Sequence, residues 1–156
     1  MSAEKLIHLA AIVLTVISFG PSAAHLFALP NKMGLGQHDY FTVQHIYNGW
    51  ALFGVVLIPL LAYDITLAVM MRHGGLRFWL TCAASACIAV SLLVFFVWVF
   101  PGNQATANWT VAPGNWRALR TNWECGHAAS AVLVFASLCA LAAAALLSRG
   151  GSRYGP

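Results

Sequence analysis

Four polar side chains at the start of the last apolar segment have the types and spacing needed to move a proton. Residues 115–130 read NWRALRTNWECGHAAS, in which Arg117, Arg120, Glu124 and His127 follow at steps of three, four and three. On a helix this spacing puts all four on one face. An imidazole exchanges a proton near neutral pH, and a carboxylate one turn away stabilises its charged form. The stripe predicts a proton-transfer or anion-binding site, in which Arg120 pairs with Glu124 at i,i+4.

The composition shows what kind of molecule must position these groups. Of the 156 residues, 60% are hydrophobic and only 8% are charged, whereas a soluble domain carries about 25% charge. The eight basic residues are spread thinly along the chain, which argues against a nucleic-acid surface. We therefore expect a single domain whose main partner is the lipid bilayer.

Four apolar stretches give the architecture. They cover residues 6–29, 50–71, 78–100 and 128–148, and each exceeds 20 residues, which is enough for a helix to cross a bilayer. The polar residues that lead into them extend the predicted helices to about 6–29, 42–71, 77–100 and 115–148. The fold class that follows is all-α, a four-helix transmembrane bundle with up-down-up-down topology.

The basic residues predict the orientation, because Lys and Arg concentrate on the cytoplasmic side of membrane proteins. Five of them fall on one side of the predicted bundle and three on the other. The five are Lys5, Arg72, Arg77, Arg149 and Arg153, and the three are Lys32, Arg117 and Arg120. We expect an integral protein of the bacterial inner membrane, with cytoplasmic termini and the two longer loops outside.

The polar residues of the spans gather near the outer ends, which predicts one outward-facing polar pocket. His25 lies about one turn before Pro30, near one end of this pocket. We expect Asp64, in the other half, to pair with Arg72. The other polar and aromatic residues expected at this pocket are Gln44, His45, Tyr47, Asn48, Asn103, Asn108 and Trp109. Trp116 and Trp123 are expected at the membrane interface.

The segment FPGNQATANWTVAPGNWRALRTNWECGH resembles the anthrone-oxygenase-like family of small four-helix membrane proteins, whose functions are largely unknown. The matching positions are Pro101, Asn103, Trp109, Trp116, Arg120, Trp123, Glu124 and His127. The sequence HLFALPNK, which begins at His25, is similar to a further family feature, a histidine followed by a proline near the outer end of helix one. Ser130 stands where family members often carry an arginine.

The resemblance implies an oxygenase that converts an anthrone-type polyketide to a quinone without an obvious cofactor. His127 with Glu124 would act as the base, and Arg120, Asn103 and Trp109 would hold the resulting enolate. Our main interpretation is a membrane oxidoreductase of the oxygenase type. It would act on a lipophilic aromatic or quinol-like molecule and require no cofactor.

Two alternatives remain open from the sequence. His25 and His127 lie on different helices at similar depth, a placement that suits axial ligands of haem b or another metal centre. The single Glu124-x-x-His127 motif is too little for a two-iron site. The third interpretation is a non-catalytic subunit of a larger membrane complex or a homo-oligomer, since small residues in the last segment permit close helix packing.

Overall fold

The computed structural model describes residues 2–147, and the predicted end of the last helix at residue 148 lies outside this range. Every regular element in the described part is helical. The elements are α1 (Ala3–Met33), α2 (Gln37–Gln44), a 3₁₀ turn (His45–Tyr47), α3 (Ala51–Val55), α4 (Leu57–Met70), α5 (Leu76–Val94), a π-helical turn (Phe95–Val99), α6 (Phe100–Ala105) and α7 (Trp116–Leu147).

The long helices form the predicted antiparallel bundle. Helix α1 packs between α4 and α7, and α5 packs between the same two helices on the opposite side. His8 Nε2 donates to the Leu141 carbonyl at 2.8 Å, while His25 stacks on His127 further along the same two helices. We call these two levels the His8 end and the pocket end. They show that α1 and α7 run in opposite directions, which confirms the up-down arrangement.

Four helical stretches are long and apolar enough to span a membrane, and large apolar side chains point outward from all of them. Examples are Phe27 at 75% exposure, Leu52 at 74%, Trp79 at 67% and Leu146 at 67%. Exposed side chains of this kind are costly in water and favourable in lipid. The chain is therefore an integral membrane protein.

The first helix is longer than expected. It begins at Ala3 after the N-cap Ser2, whose hydroxyl accepts from the Lys5 amide at 3.4 Å, and it continues through Pro21 and Pro30 to Met33. Proline is tolerated in a spanning helix when neighbouring groups satisfy the freed carbonyls. The prediction that this helix ends at residue 29 was wrong. The extra turn carries Lys32 into the bundle, with only 3% of the side chain exposed.

The second predicted helix, residues 42–71, is broken into pieces. Helix α2 and the 3₁₀ turn cover the pocket end, and the chain then turns at Asn48–Gly49, where Gly49 has φ of 83°. Glycine adopts this left-handed backbone without steric cost. The spanning part begins only near Leu52. The Asn-Gly pair was a turn signal directly before the apolar run 50–71.

The third helix extends beyond the predicted end at residue 100, reaching Ala105 through the π-helical turn. The turn packs tightly against α7 at Gly126, where an added Cβ would lie 2.9 Å from Val99 Cγ2 and 3.2 Å from Trp98 Cβ. Single π turns inside α-helices are frequent at functional sites. This one begins at Phe95, whose side chain lines a cavity between the helices.

Two apolar clusters hold the bundle together. The first fills the His8 half and contains Ala11, Leu60, Leu67, Met71, Ala84, Ile88, Val134 and Leu141. The second is aromatic, lies at the pocket end, and contains Tyr40, Val99, Trp109, Trp116 and Trp123. Trp116 and Trp123 are each only 4% exposed. Both rings pack under α2 and the second loop and so face the interior of the bundle rather than the lipid.

Candidate functional site

A buried ion pair lies at the pocket end. Lys32 Nζ is 2.7 Å from Glu124 Oε2, and the two side chains are 3% and 0% exposed. The Tyr40 hydroxyl donates to Glu124 Oε1 at 2.8 Å, and Gln44 Nε2 makes a longer contact of 3.4 Å to the same oxygen. A buried carboxylate is stable only when it is paired and hydrogen-bonded. Glu124 meets both conditions through groups from α1 and α2.

This pairing overturns two predictions. Glu124 was expected to pair with Arg120, and Lys32 was counted as a loop charge. In the structure Arg120 Nη1 donates to the Leu35 carbonyl at 2.9 Å. Its guanidinium lies 5.4 Å from the Tyr40 ring centroid and 4.9 Å from that of Trp116. A planar guanidinium stacks well on aromatic rings, so Arg120 braces the aromatic cluster while Lys32 reaches across the bundle.

Burial keeps the phenol of Tyr40 protonated. The apolar surroundings of the ring and the neighbouring Glu124 carboxylate raise the pKa of Tyr40 above its ordinary range, because both disfavour the phenolate. Burial also raises the pKa of Tyr47, to which the Glu124 charge contributes. Tyr40 is thus a fixed donor to Glu124.

Two histidines meet beside the ion pair. The rings of His25 and His127 stack with centroids 4.1 Å apart and an interplanar angle of 16°, and the Trp123 ring lies edge-on to His127 at 4.2 Å. Lys32 Nζ is 3.4 Å from His25 Nδ1. Since an ammonium only donates, Nδ1 must accept, which leaves the His25 proton on Nε2.

A cavity of about 310 Å³ opens beside this pair, and we call it the pocket. Both histidines line it, and Lys32 and Glu124 lie behind them rather than in the lining. The aromatic side chains of the lining are Tyr47, Trp50, Phe53, Phe95, Trp109 and Trp123. The size and the mainly apolar lining are those of a small-molecule site.

Four buried polar atoms in the lining have no hydrogen-bond partner within the described chain. They are Ser18 Oγ, Gln44 Oε1, Ser91 Oγ and Trp109 Nε1. A buried polar atom without a partner costs about 1–3 kcal/mol, so such atoms are usually satisfied by water or a ligand. They supply one amide acceptor, one indole donor and two hydroxyls to whatever fills the pocket.

The second loop shapes one wall through an unusual backbone. Ala107, Asn108 and Trp109 have φ of 46°, 56° and 65°, a left-handed turn that costs roughly 1–2 kcal/mol per residue. Thr106 holds it, since its Oγ1 accepts from the Trp109 amide at 2.9 Å. The turn directs the Trp109 ring into the aromatic cluster and the pocket. Strained backbone of this kind clusters at functional sites.

The other predicted site residues have the following places. Asn103 lines the pocket and its Oδ1 accepts from Trp123 Nε1 at 2.7 Å, so it holds the tryptophan. Ser130 is buried in the pocket wall. Arg117 is exposed, with its guanidinium 4.9 Å from the Trp116 ring. The structure therefore brings His25, Glu124, His127, Asn103 and Trp109 together and leaves both arginines outside the pocket.

The sequence interpretation missed the roles of Lys32 and Tyr40. A helical signal for each was present: His25 and Lys32 are seven residues apart, and Tyr40 and Gln44 are four apart, so each pair shares a helix face. The proline at position 30 concealed the first pair by suggesting an earlier helix end.

The sequence has no significant match among protein-family models or curated proteins. No solved structure matches the fold. The likeness to the anthrone-oxygenase-like family therefore stays a prediction based on the Asn103-to-His127 motif.

The haem alternative can be compared with the geometry of the two histidines. Axial ligation points one nitrogen of each imidazole at a single iron from opposite faces of the macrocycle. The rings of His25 and His127 instead lie face to face in contact. The two rings would have to separate and turn to hold a haem, and the haem alternative stays a prediction.

Proposed function

We propose that the protein is a membrane-embedded oxidoreductase of the oxygenase type, which binds a lipophilic hydroxylated aromatic molecule in the pocket. The observation that supports it is the meeting of His127 with an aromatic-lined cavity whose polar atoms lack partners. Flat aromatic walls favour a planar ligand through stacking. Ligand hydroxyl and carbonyl groups would pair with Trp109 Nε1, Gln44 Oε1 and the serines.

His127 is the base of this proposal. No hydrogen bond to its ring occurs among the described residues, so a nitrogen lone pair is available to an acidic proton of the ligand. The imidazolium formed would stack on the ring of His25 and contact the Trp123 ring at an interplanar angle of 68°. The Glu124 carboxylate, paired behind them, balances the positive charge of Lys32 and keeps the site from being cationic before the reaction.

The reaction that the family resemblance favours balances without a cofactor. The base removes a proton from the acidic CH₂ of an anthrone, and the carbanion adds to O₂ to give a peroxide anion. Protonation by His127 gives a hydroperoxide, which loses water to form the ketone, so R₂CH₂ and O₂ become R₂C=O and H₂O. Arg120, a predicted donor to the enolate, lies outside the pocket. The Nε2–H group of His25 would donate to the enolate in its place.

The membrane in which the protein lies and its orientation in that membrane are part of the same proposal. Among the described basic residues, Lys5, Arg72 and Arg77 lie at the His8 end, and Lys32, Arg117 and Arg120 lie at the pocket end. Arg149 and Arg153 lie outside the described residues. The proposal of a bacterial inner-membrane protein whose pocket end faces outward therefore rests on the five-to-three count of the full sequence.

The test is oxygen uptake and quinone formation by the purified protein in lipid nanodiscs supplied with a hydroxylated anthrone. We expect turnover above that of empty nanodiscs, and its loss in His127→Ala. His73→Ala is the matched control, since His73 is exposed at the far end. If wild type does not exceed empty nanodiscs with any hydroxylated anthrone, or if His127→Ala turns over fully, the proposal is wrong.

A further inference from the structure

One carboxyl group has no role in the site described above. Asp64 is 0% exposed, and neither of its carboxylate oxygens has a hydrogen-bond partner in the described chain. It lies on α4 between Leu60 and Leu67, both in the apolar core. Its predicted pairing with Arg72 was wrong, because Arg72 is exposed and its Nε donates to His73 Nε2 at 3.2 Å.

Contacts between the helices fix the level of Asp64 in the bundle. Thr81 Oγ1 contacts Met71 Sδ at 3.5 Å, so these two residues lie at the same level of the bundle. Asp64 on α4 and Ile88 on α5 each lie seven residues closer to the pocket, so they are also level with each other. Ser91 in the pocket wall lies three residues beyond Ile88, which is about 4.5 Å along a helix. The carboxyl group is thus about one helical turn below the pocket.

Unpartnered hydroxyls lie on both sides of this level. Ser18 Oγ and Ser91 Oγ are in the pocket wall, and Ser137 Oγ lies on α7 toward the His8 end with 0% exposure. Ser137 is one turn from Leu141, to which His8 donates. Buried polar atoms without protein partners are typical sites of ordered water. These hydroxyls and Asp64 are thus buried polar groups at successive levels between the pocket and the His8 end.

The charge state of Asp64 follows from its surroundings. An isolated carboxylate in the hydrocarbon region is costly, and the two salt bridges within residues 2–147 are Lys32–Glu124 and Arg77–Glu4. Asp64 is therefore a carboxylic acid that holds a proton.

We propose that Asp64 relays protons between the pocket and the His8 end of the bundle. Its O–H gives a proton through water and the serine hydroxyls to the pocket, and the carboxylate regains one from the His8 end. No electron moves, and one proton enters for each proton that leaves. This function goes beyond the proposed oxidation and does not rest on it, because the relay needs no ligand.

The protonated state is tested by dicyclohexylcarbodiimide, which reacts with neutral carboxylic acids in apolar surroundings. We expect mass spectrometry of the protein labelled in nanodiscs to find the adduct on Asp64 and not on the ion-paired Glu124. Failure to label Asp64 while Glu124 reacts would contradict the charge assignment and with it the relay.

The transfer itself is tested in potassium-loaded liposomes that contain the protein and a pH-sensitive dye, with a potential set by valinomycin. We expect proton entry faster than in protein-free liposomes, its loss in Asp64→Asn and a decrease in Ser137→Ala. Thr66→Val is the matched control, because Thr66 is exposed two residues from Asp64. Equal flux in wild type and Asp64→Asn, or wild-type flux no greater than that of empty liposomes, overturns the relay. Anthrone turnover in the same variants is a separate measurement, so the two proposals can fail independently.

Discussion

Lys32 and Glu124 lie 2.7 Å apart on opposite helices, almost fully buried, and this ion pair joins the end of α1 to the start of α7. Because Lys32 also lies 3.4 Å from His25 Nδ1, the pair sets both the carboxylate that Tyr40 holds and the tautomer of the histidine that stacks on His127. The pair therefore positions the pocket while remaining outside its lining.

Replacing one member of the Lys32–Glu124 pair should lower the free energy of unfolding more than replacing both. We expect Lys32→Met or Glu124→Gln alone to lower the free energy of unfolding, by about 3–5 kcal/mol for the lysine, which leaves a buried carboxylate unpaired. The double variant should recover part of this loss. Denaturation in detergent measures it, and Lys5→Met, at an exposed position, is the control. Additive losses in the double variant would show that the two charges do not interact.

Tyr40 should make stability fall at alkaline pH. Its pKa is raised in the folded protein by burial and by Glu124, so above the unfolded value of about 10 only the unfolded chain releases this proton. The free energy of unfolding then decreases by up to about 1.4 kcal/mol per pH unit. Tyr40→Phe should flatten this dependence at the cost of a hydrogen bond. An unchanged slope above pH 10 would contradict the buried phenol.

The contact of α7 with the π-helical turn should not tolerate a methyl group. In Gly126→Ala the new Cβ would meet Val99 Cγ2 at 2.9 Å, and we expect a loss of about 1–3 kcal/mol from overpacking. Gly20→Ala, which has nothing within 4 Å, should be neutral or stabilising because alanine favours helix. Thermal denaturation of the two variants compares them, and equal midpoints would be inconsistent with this packing.

The orientation can be read from cysteine labelling in a chain whose native cysteines are replaced. We expect a membrane-impermeant maleimide to label Gly36→Cys in intact cells and to label His73→Cys only after permeabilisation. His73 is preferable to Gly74, since a Cβ at Gly74 would lie 2.9 Å from the Met71 carbonyl oxygen. The reverse labelling pattern would place the pocket at the cytoplasmic face.

Much of the architecture followed from the sequence because hydropathy acts over a whole span. Four apolar runs predicted four membrane helices, and the steps between Glu124 and His127 correctly put them near one site. The break at Asn48–Gly49 was missed, since the polar residues before this short turn signal were assigned to the same helix as the apolar run 50–71 that follows it.

The site itself was only partly predictable. The i,i+4 rule paired Glu124 with Arg120, but the rule concerns neighbours on one helix and says nothing of a lysine reaching from another. Lys32 rather than Arg120 pairs with Glu124 because α1 continues for an extra turn beyond Pro30 and because aromatic rings attract Arg120. The left-handed turn at Trp109, which Thr106 holds, and the π-helical turn, which packs on Gly126, have no recognisable local sequence pattern.

The most direct test of the account measures ligand binding and turnover on the same nanodisc sample of His127→Ala. Ligand affinity for a hydroxylated anthrone is followed by quenching of tryptophan fluorescence, because Trp50 and Trp109 line the pocket. We predict near-unchanged affinity and a loss of roughly 10²–10⁴ in turnover, the usual contribution of a general base. Full turnover with unchanged affinity would remove His127 from the chemistry and contradict the proposed mechanism.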